Sequence, residues 1–199
     1  MNFRSLCILH FTFCILLFAG CFNEPEPASK SVPAERRAYF SDKGLKSLPE
    51  IPADVDYVNL DRNSLESVDG IEKFASLKWL RLNSNRLSAL PDLKPLVNLR
   101  RIYLKNNSFK AVPETLKDLP SLTDIELSGN PITEVPEWLA GKKGLKNLSF
   151  NFTGISKLPK DLSAWKGLSS LQLGDTPIGN DPHEMARIRE ALPGVAIVF

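Results

Sequence analysis

Few side chains in this sequence are of the types that perform acid–base, nucleophilic or metal chemistry. Beyond the first 21 residues the only histidine is His183, and it lacks the second histidine that a zinc-protease helix needs. Asp124 and Glu126 are near neighbours on one predicted strand, but paired carboxylates catalyse in a closed, water-poor cleft, which an open sheet does not supply. We therefore predict that the protein is not an enzyme and that it has no metal or other cofactor.

Cysteine usage and composition further narrow the classes of protein to which this chain could belong. The three cysteines are Cys7, Cys14 and Cys21, so the rest of the chain has no disulfide, cysteine zinc site or thiol nucleophile. The net charge of +2, with 43% apolar and 24% charged residues, is typical of a soluble globular chain. It is far from the basic balance of a dedicated nucleic-acid binder, so we expect no nucleic-acid partner.

The first 20 residues have the pattern of a secretory signal peptide. A single cation, Arg4, precedes a mostly apolar run from Leu6 to Ala19, and small residues stand just before Cys21. The run is too short for a comfortable transmembrane helix, which needs about 20 apolar residues. We therefore expect the chain to be exported.

The end of this leader, LFAGC, resembles the lipobox of bacterial lipoproteins, except that Phe18 stands where that family usually has Leu. The resemblance implies that Cys21 is lipidated and becomes the first residue of a membrane-anchored mature chain. Phe22 is not the aspartate associated with inner-membrane retention, so the resemblance favours the outer membrane of the cell envelope. The alternatives are an uncleaved signal anchor, a non-lipidated secreted protein, or an intracellular scaffold if the leader is not a signal.

Residues 21–37 are predicted to form a flexible tether between the lipid and a folded domain. The stretch after Cys21 reads FNEPEPASKSVPAERR, with three prolines, mixed charges and few apolar side chains. Such a segment cannot bury enough apolar surface to fold, and proline stiffens it. We expect it to hold the domain away from the membrane.

A repeat occupies most of the remaining chain. The pattern L-x-x-L-x-L-x-x-N-x-L, with conservative replacements, begins at residues 55, 77, 99, 122, 145 and 168, so its period is 22 or 23 residues. A period of about 20–29 residues is typical of leucine-rich repeats. The position of the Asn in successive units is occupied by Asn63, Asn85, Asn107, Asn130, Thr153 and Thr176.

This pattern resembles the leucine-rich repeat family from about Ala38 to the C-terminus. The resemblance implies an α/β-type solenoid, a curved right-handed horseshoe with a parallel sheet on its concave side. Prolines after Leu90, Val112, Val135 and Leu158 predict short helical or 3₁₀ turns on the convex side. We divide the domain into an N-cap at 38–54, six repeats at 55–180 and a C-cap helix and strand at 181–199.

The Asn column has a physical reason. A chain that turns sharply inside a solenoid leaves buried backbone donors and acceptors, and an Asn side chain carries groups for both. Thr153 and Thr176 can satisfy only part of them. We therefore expect the last two coils to be less rigid than the middle ones, or to turn differently.

The outward-pointing positions of the strands predict where a partner binds. Aromatic and Arg side chains dominate interface hot spots, and they concentrate on the first three repeats. The candidate partner-binding residues are Tyr57, Trp79, Arg81, Arg101, Tyr103 and Lys105. The alternative is a solvated face on which large side chains stack between neighbouring strands, with Arg lying over aromatic rings.

The sequence thus favours a membrane-anchored leucine-rich repeat lipoprotein that binds an envelope or host-surface protein through its concave face. The second hypothesis is binding of a glycan or polyanion, such as peptidoglycan or a sulfated polysaccharide, by the same Arg, Tyr and Trp side chains. Strong salt dependence would favour the second hypothesis, because screening weakens charge contacts more than apolar ones.

Overall fold

The computed structural model describes residues 36–199, which lie in a single compact unit. The predicted signal peptide, Cys21 and all but the last two residues of the predicted tether lie outside the described residues. The strands are β1 (Arg37–Tyr39), β2 (Tyr57–Asn59), β3 (Trp79–Arg81), β4 (Arg101–Tyr103), β5 (Asp124–Glu126), β6 (Asn147–Ser149), β7 (Ser170–Gln172) and β8 (Ala196–Val198). Strand β1 begins at Arg37, the last residue assigned to the tether.

All eight strands form one parallel sheet, in which each strand pairs only with its neighbours in sequence. The register is regular: Val58 pairs with Leu80, Leu80 with Ile102, and Ile102 with Ile125. The sheet is not closed into a barrel. The leucine-rich repeat solenoid predicted from the period is therefore confirmed.

The crossovers between strands are short, as the proline positions predicted. Residues 36–199 contain two helices, α1 (Glu137–Ala140) and α2 (Pro182–Ala191), and 3₁₀ turns lie at Ile71–Lys73, Glu114–Leu116, Ser163–Gly167 and Pro177–Asn180. Pro113 and Pro136 stand directly before a 3₁₀ turn and before α1. Both prolines lie ten residues beyond the end of the preceding strand, at Tyr103 and Glu126, so they begin the short helical turns of the crossovers rather than end the strands.

The core lies between the sheet and these crossovers. The central residue of each of the strands β2 to β7 points into it, and the repeat leucines fill the space behind. The largest fully buried side chain is Trp165, whose indole N–H donates to the carbonyl of Leu139 at 2.9 Å. This contact joins α1 to the next 3₁₀ turn, and the repeat pattern alone did not predict it.

Asn side chains connect successive coils inside the solenoid. The Nδ2 of Asn107 donates to the carbonyls of Leu82, Leu104 and Lys105 at 2.9–3.3 Å, and its Oδ1 accepts from the N–H of Leu87 at 3.0 Å. Two of these partners belong to the preceding coil. Asn63, Asn85 and Asn130 make the corresponding bonds, each to its own coil and to the preceding one. We call these four residues the Asn ladder.

The ladder ends where threonine replaces asparagine. The hydroxyl of Thr153 donates only to the carbonyl of Phe150, at 2.7 Å, and that of Thr176 only to Leu173, at 2.6 Å. Both are bonds within one coil. In the earlier coils, the N–H at the position of Ile132 donates to the Asn side chain of the following coil. The N–H of Ile132 instead donates to the carbonyl of Asn130 at 2.8 Å. The last coils therefore lack the hydrogen bonds that an Asn makes to the preceding coil, although Phe152 and Asp175 keep the same positive φ as the earlier turns. Their lower rigidity stays a prediction.

A second recurring position requires a left-handed backbone. Positive φ values near 55° occur at Arg62, Ser84 and Asn106, and at their equivalents in other coils. Gly129 holds this position in the fourth repeat with φ 68°, and a Cβ there would clash with the Asn106 side chain. Each turn thus carries some backbone strain, because a residue with a Cβ disfavours this conformation.

The C-terminal unit consists of α2 and β8. The Asp181 side chain caps α2 by accepting from the N–H groups of His183 and Glu184, and Pro182 occupies the first turn. Glu184 accepts from the N–H of Leu158 at 2.9 Å and pairs with Arg187. Arg187 also donates to the carbonyls of residues 158–160. This pair attaches α2 to the preceding coils.

The Asn ladder generates a test by substitution. We expect Asn107→Thr to lower the free energy of unfolding by about 2–4 kcal/mol, because it leaves buried backbone groups of two coils without partners. Thr153→Val removes a single bond and should cost about 1 kcal/mol. Urea unfolding of both variants measures the difference. Equal costs would show that the ladder contributes no more than an ordinary polar contact.

Candidate functional site

The face of the sheet opposite the core, here called the outer face, carries a row of aromatic rings at its N-terminal end. Tyr39, Tyr57 and Trp79 come from β1, β2 and β3. The ring centroids are 5.4 Å apart between the two tyrosines and 5.9 Å apart between Tyr57 and Trp79. Such tilted and edge-to-face contacts stabilise neighbouring strands. The sequence analysis identified Tyr57 and Trp79 but missed Tyr39, because it treated 38–54 only as a cap.

Arginines lie over these rings from the adjacent strands. The guanidinium carbon of Arg101 is 4.6 Å from the Trp79 ring centroid, and that of Arg81 is 5.4 Å from Tyr103. Arg37 lies 5.9 Å from Tyr57 in the same way. The parallel register causes this alternation, because it places Trp79 beside Arg101 and Arg81 beside Tyr103. Cation–π contacts of this kind contribute about 0.5–2 kcal/mol each.

Buried carboxylates hold two of the arginines in place. The Asp61 carboxylate accepts from Nε of Arg81 at 2.8 Å and from the N–H of Asn83 at 2.7 Å. Burial disfavours the charge of Arg81, but Asp61 outweighs this effect and raises the pKa of Arg81 above its usual value. Nε of Arg101 lies 3.8 Å from Asp124. Asp61 was not recognised from the sequence, because its Arg partner lies one coil away.

The six predicted partner-binding residues lie together on the outer face. Five of them are on β2 to β4, and Lys105 follows β4. Tyr57 and Tyr103 are buried, at 6% and 9% exposure. Trp79, Arg81, Arg101 and Lys105 are partly exposed. The area that a partner can contact therefore comes mainly from these four side chains. The stacking of Arg over aromatic rings, raised as the alternative, is also present.

Acidic side chains follow the cluster on β5. Asp124 accepts from the Asn147 amide and the Thr123 hydroxyl, both at 2.5 Å. Glu126 is buried at 7% exposure and accepts from the N–H of Ser128 at 2.8 Å. Burial raises the pKa of Glu126, while hydrogen bonds from Ser128 and the charge of Lys105 oppose that rise. The outer face thus changes from cationic on β3 and β4 to acidic on β5.

Sequence comparisons identify the repeats. Residues 75–132, which contain β3, β4 and β5, match the family model of the leucine rich repeat. Together with the eight-stranded parallel sheet, which continues the same strand pairing on both sides of this segment, the match gives the fold class, a leucine-rich repeat solenoid. A search of curated proteins found no match to this chain.

Among residues 36–199, His, Asp and Glu side chains do not gather in groups of three that could hold a metal ion. The helices found in the same range are too short or too polar to span a bilayer. The cluster of aromatic and Arg side chains on the outer face of β2 to β4 is therefore the candidate functional site.

The buried Glu126 generates a pH-dependent prediction. A carboxyl group whose pKa is raised by folding stabilises the fold below its unfolded pKa, and this contribution is lost as the pH rises through the folded value. The neutral Glu126→Gln variant should therefore melt at a higher temperature than the wild type at about pH 8, and not at about pH 4. Circular dichroism at both pH values measures this. The Glu66→Gln variant, altered at an exposed position, serves as a control. A gain in melting temperature for Glu126→Gln that is equal at both pH values would contradict the prediction.

Proposed function

We propose that the protein is a membrane-anchored lipoprotein that presents its leucine-rich repeats as a binding module for another protein. The partner contacts the outer face at Trp79, Arg81, Arg101 and Lys105. The observation that carries this proposal is the interleaved cluster of rings and guanidinium groups on β2 to β4. Trp, Tyr and Arg are the side chains that contribute most to interface hot spots.

The rigidity of this cluster supports binding. Arg81 is fixed between the Asp61 carboxylate and the Tyr103 ring. Arg101 is fixed between Trp79 and Asp124. A side chain that is already ordered loses little conformational entropy when a partner binds, whereas immobilising a mobile one costs about 0.5–1.5 kcal/mol. The patch is therefore organised for binding before contact.

The anchoring part of the proposal rests on the N-terminal sequence. The lipobox-like LFAGC ending supports lipidation of Cys21, and Phe22 favours the outer membrane of a bacterial envelope. Two or three acyl chains on one residue would make the attachment effectively permanent, since each buried methylene contributes about 0.8 kcal/mol. An anchored module meets envelope or host-surface proteins rather than cytoplasmic ones.

Intact mass tests the anchor. The protein purified from membrane fractions should begin at Cys21 and carry the added mass of acyl chains, whereas Cys21→Ala should lack that mass and leave the membrane fraction. The Cys14→Ala variant, altered within the leader, is the matched control and should behave as the wild type. An unmodified full-length chain in the soluble fraction would refute the anchor and move the search for partners inside the cell.

Site-specific crosslinking tests the binding face. A photoreactive phenylalanine derivative at Trp79 of the full-length chain should crosslink one partner protein in envelope fractions. The same group at Gln172, which occupies the outer face on β7, should not. A protein adduct at both positions, or at neither, would contradict the proposed face.

Salt separates the two classes of partner considered for this patch. At about 1 M ionic strength the Debye length falls to roughly 3 Å, so contacts made mainly of exposed charges are screened. Crosslinking at Trp79 that survives this ionic strength indicates a protein held by packing against the ring. Its complete loss, together with release of carbohydrate, would favour the glycan or polyanion instead.

A further inference from the structure

A cavity opens at the beginning of β3 and β4, beside the aromatic row. It has a volume of about 440 Å³ and is lined by Trp79, Arg100, Arg101, Ser121 and Thr123. The chemistry of the partner group that this cavity would accept rests on the proposed function. We call these five residues the Arg100 pocket.

Arg100 supplies a cation at the mouth of the pocket. Its backbone is held in the sheet, because its N–H donates to the carbonyl of Lys78 at 2.8 Å and its own carbonyl accepts from the N–H of Thr123 at 2.8 Å. Its side chain is exposed, and within residues 36–199 it makes no ion pair with an Asp or Glu. A guanidinium group presents its N–H donors in a planar fork that matches a carboxylate.

The other arginine of the pocket has a different role. Arg101 stacks on Trp79 and lies close to Asp124, so it contributes positive potential and a fixed wall. Asp124 in turn accepts from Thr123 and Asn147. The Trp79 ring provides an apolar surface next to the cation. The pocket therefore combines one exposed guanidinium with an aromatic wall.

Charge on the surrounding outer face has the same sign. The cations on and beside β1 to β4 outnumber the acids there, with Asp56 and Asp61 already paired to Lys78 and Arg81. The cations are Arg36, Arg37, Lys78, Arg81, Arg100, Arg101 and Lys105. This field attracts an acidic group towards the pocket and raises the rate of its encounter.

The acidic residues of β5 argue against a long polyanion. Asp124 and Glu126 lie directly beside Arg101 and Tyr103 in register. A sulfated chain that crosses the sheet would meet these carboxylates within one strand spacing, about 4.8 Å, of the cations. A protein segment with one or two acidic side chains and neutral or apolar neighbours avoids that repulsion. The observations therefore favour a protein over a polyanionic glycan.

We propose that the Arg100 pocket is the anchoring subsite for a Glu or Asp side chain of the partner protein. Arg100 pairs with that carboxylate, and an apolar side chain next to it in the partner packs on the Trp79 ring. The partner is thus an acidic protein segment with apolar residues between its carboxylates.

Fluorescence anisotropy with synthetic peptides tests this subsite on the full-length protein in mild detergent. The probes are a labelled peptide of alternating glutamate and leucine, the same peptide with glutamine in place of glutamate, and dextran sulfate as an unlabelled competitor. Arg100→Gln is the test variant. Lys146→Gln is the matched control, because Lys146 holds the same repeat position before β6 and is exposed.

The glutamate peptide should bind the wild type and the Lys146→Gln variant equally, and the Arg100→Gln variant about tenfold more weakly. That factor corresponds to about 1.4 kcal/mol. The glutamine peptide should bind the wild type at least about tenfold more weakly than the glutamate peptide. Dextran sulfate should displace the glutamate peptide only at a large excess of charge.

Three results would overturn the assignment: equal binding of the two peptides, equal weakening by the two substitutions, or no binding of the glutamate peptide. Dextran sulfate that binds the wild type more tightly than the peptide, and loses affinity in both variants, would assign the face to a polyanion. Crosslinking at Trp79 separates the two proposals. If Arg100→Gln still crosslinks the partner with unchanged yield, the binding face stands and the carboxylate subsite fails. If crosslinking at Trp79 is absent from the wild type as well, both fail.

Discussion

Satisfaction of buried backbone groups by asparagine side chains is the constraint on which the solenoid depends. Each coil leaves its strand through a tight turn, and the backbone N–H and carbonyl groups of that turn face the interior, where water does not reach them. An Asn side chain has two donors and one acceptor and serves its own coil and the one before it, as Asn85 does with Leu82 and Leu60. An unsatisfied buried polar group costs about 1–3 kcal/mol, so the Asn column lowers the free-energy cost of closing the leucine core over each of the first four turns.

The strand register, rather than the ladder alone, sets the spacing of the outer face. The ladder accompanies this register from β1 to β5, and the register continues unchanged to β8, through the coils where Thr replaces Asn. That register places Arg101 on Trp79 and Arg81 on Tyr103. The hydrogen bonds of the interior and the stacking on the surface are therefore two results of one repeat. The ladder stops at Asn130, and the large aromatic and Arg side chains of the outer face stop one strand earlier.

Much of the fold could be predicted from the sequence, because the solenoid is nearly one-dimensional. The period, the strand positions and the prolines of the crossovers are local signals, and the parallel sheet is what the resemblance to leucine-rich repeats implied. The cap of α2 was predictable for the same reason, since Asp181 and Pro182 form a local pattern. Contacts that link one coil to another had no such signal. The Asp61–Arg81 pair, the Trp165–Leu139 hydrogen bond and the Glu184–Arg187 contacts with residues 158–160 required the three-dimensional structure. The site residues were predicted to lie together, but their burial was not, because it depends on which neighbour covers which ring.

The change of period from 22 to 23 residues has a consequence for how such a protein can diversify. The strands begin at residues 57, 79, 101, 124, 147 and 170, yet the pairing of β4 with β5 is as regular as that of β3 with β4. The additional residue lies after the Asn position, on the side that carries the crossovers, where Pro113 leads into the turn at Glu114–Leu116. Insertions and deletions on that side leave the sheet unchanged. The two surfaces can therefore accept genetic variation independently, one through changes in length and the other through exchange of single side chains.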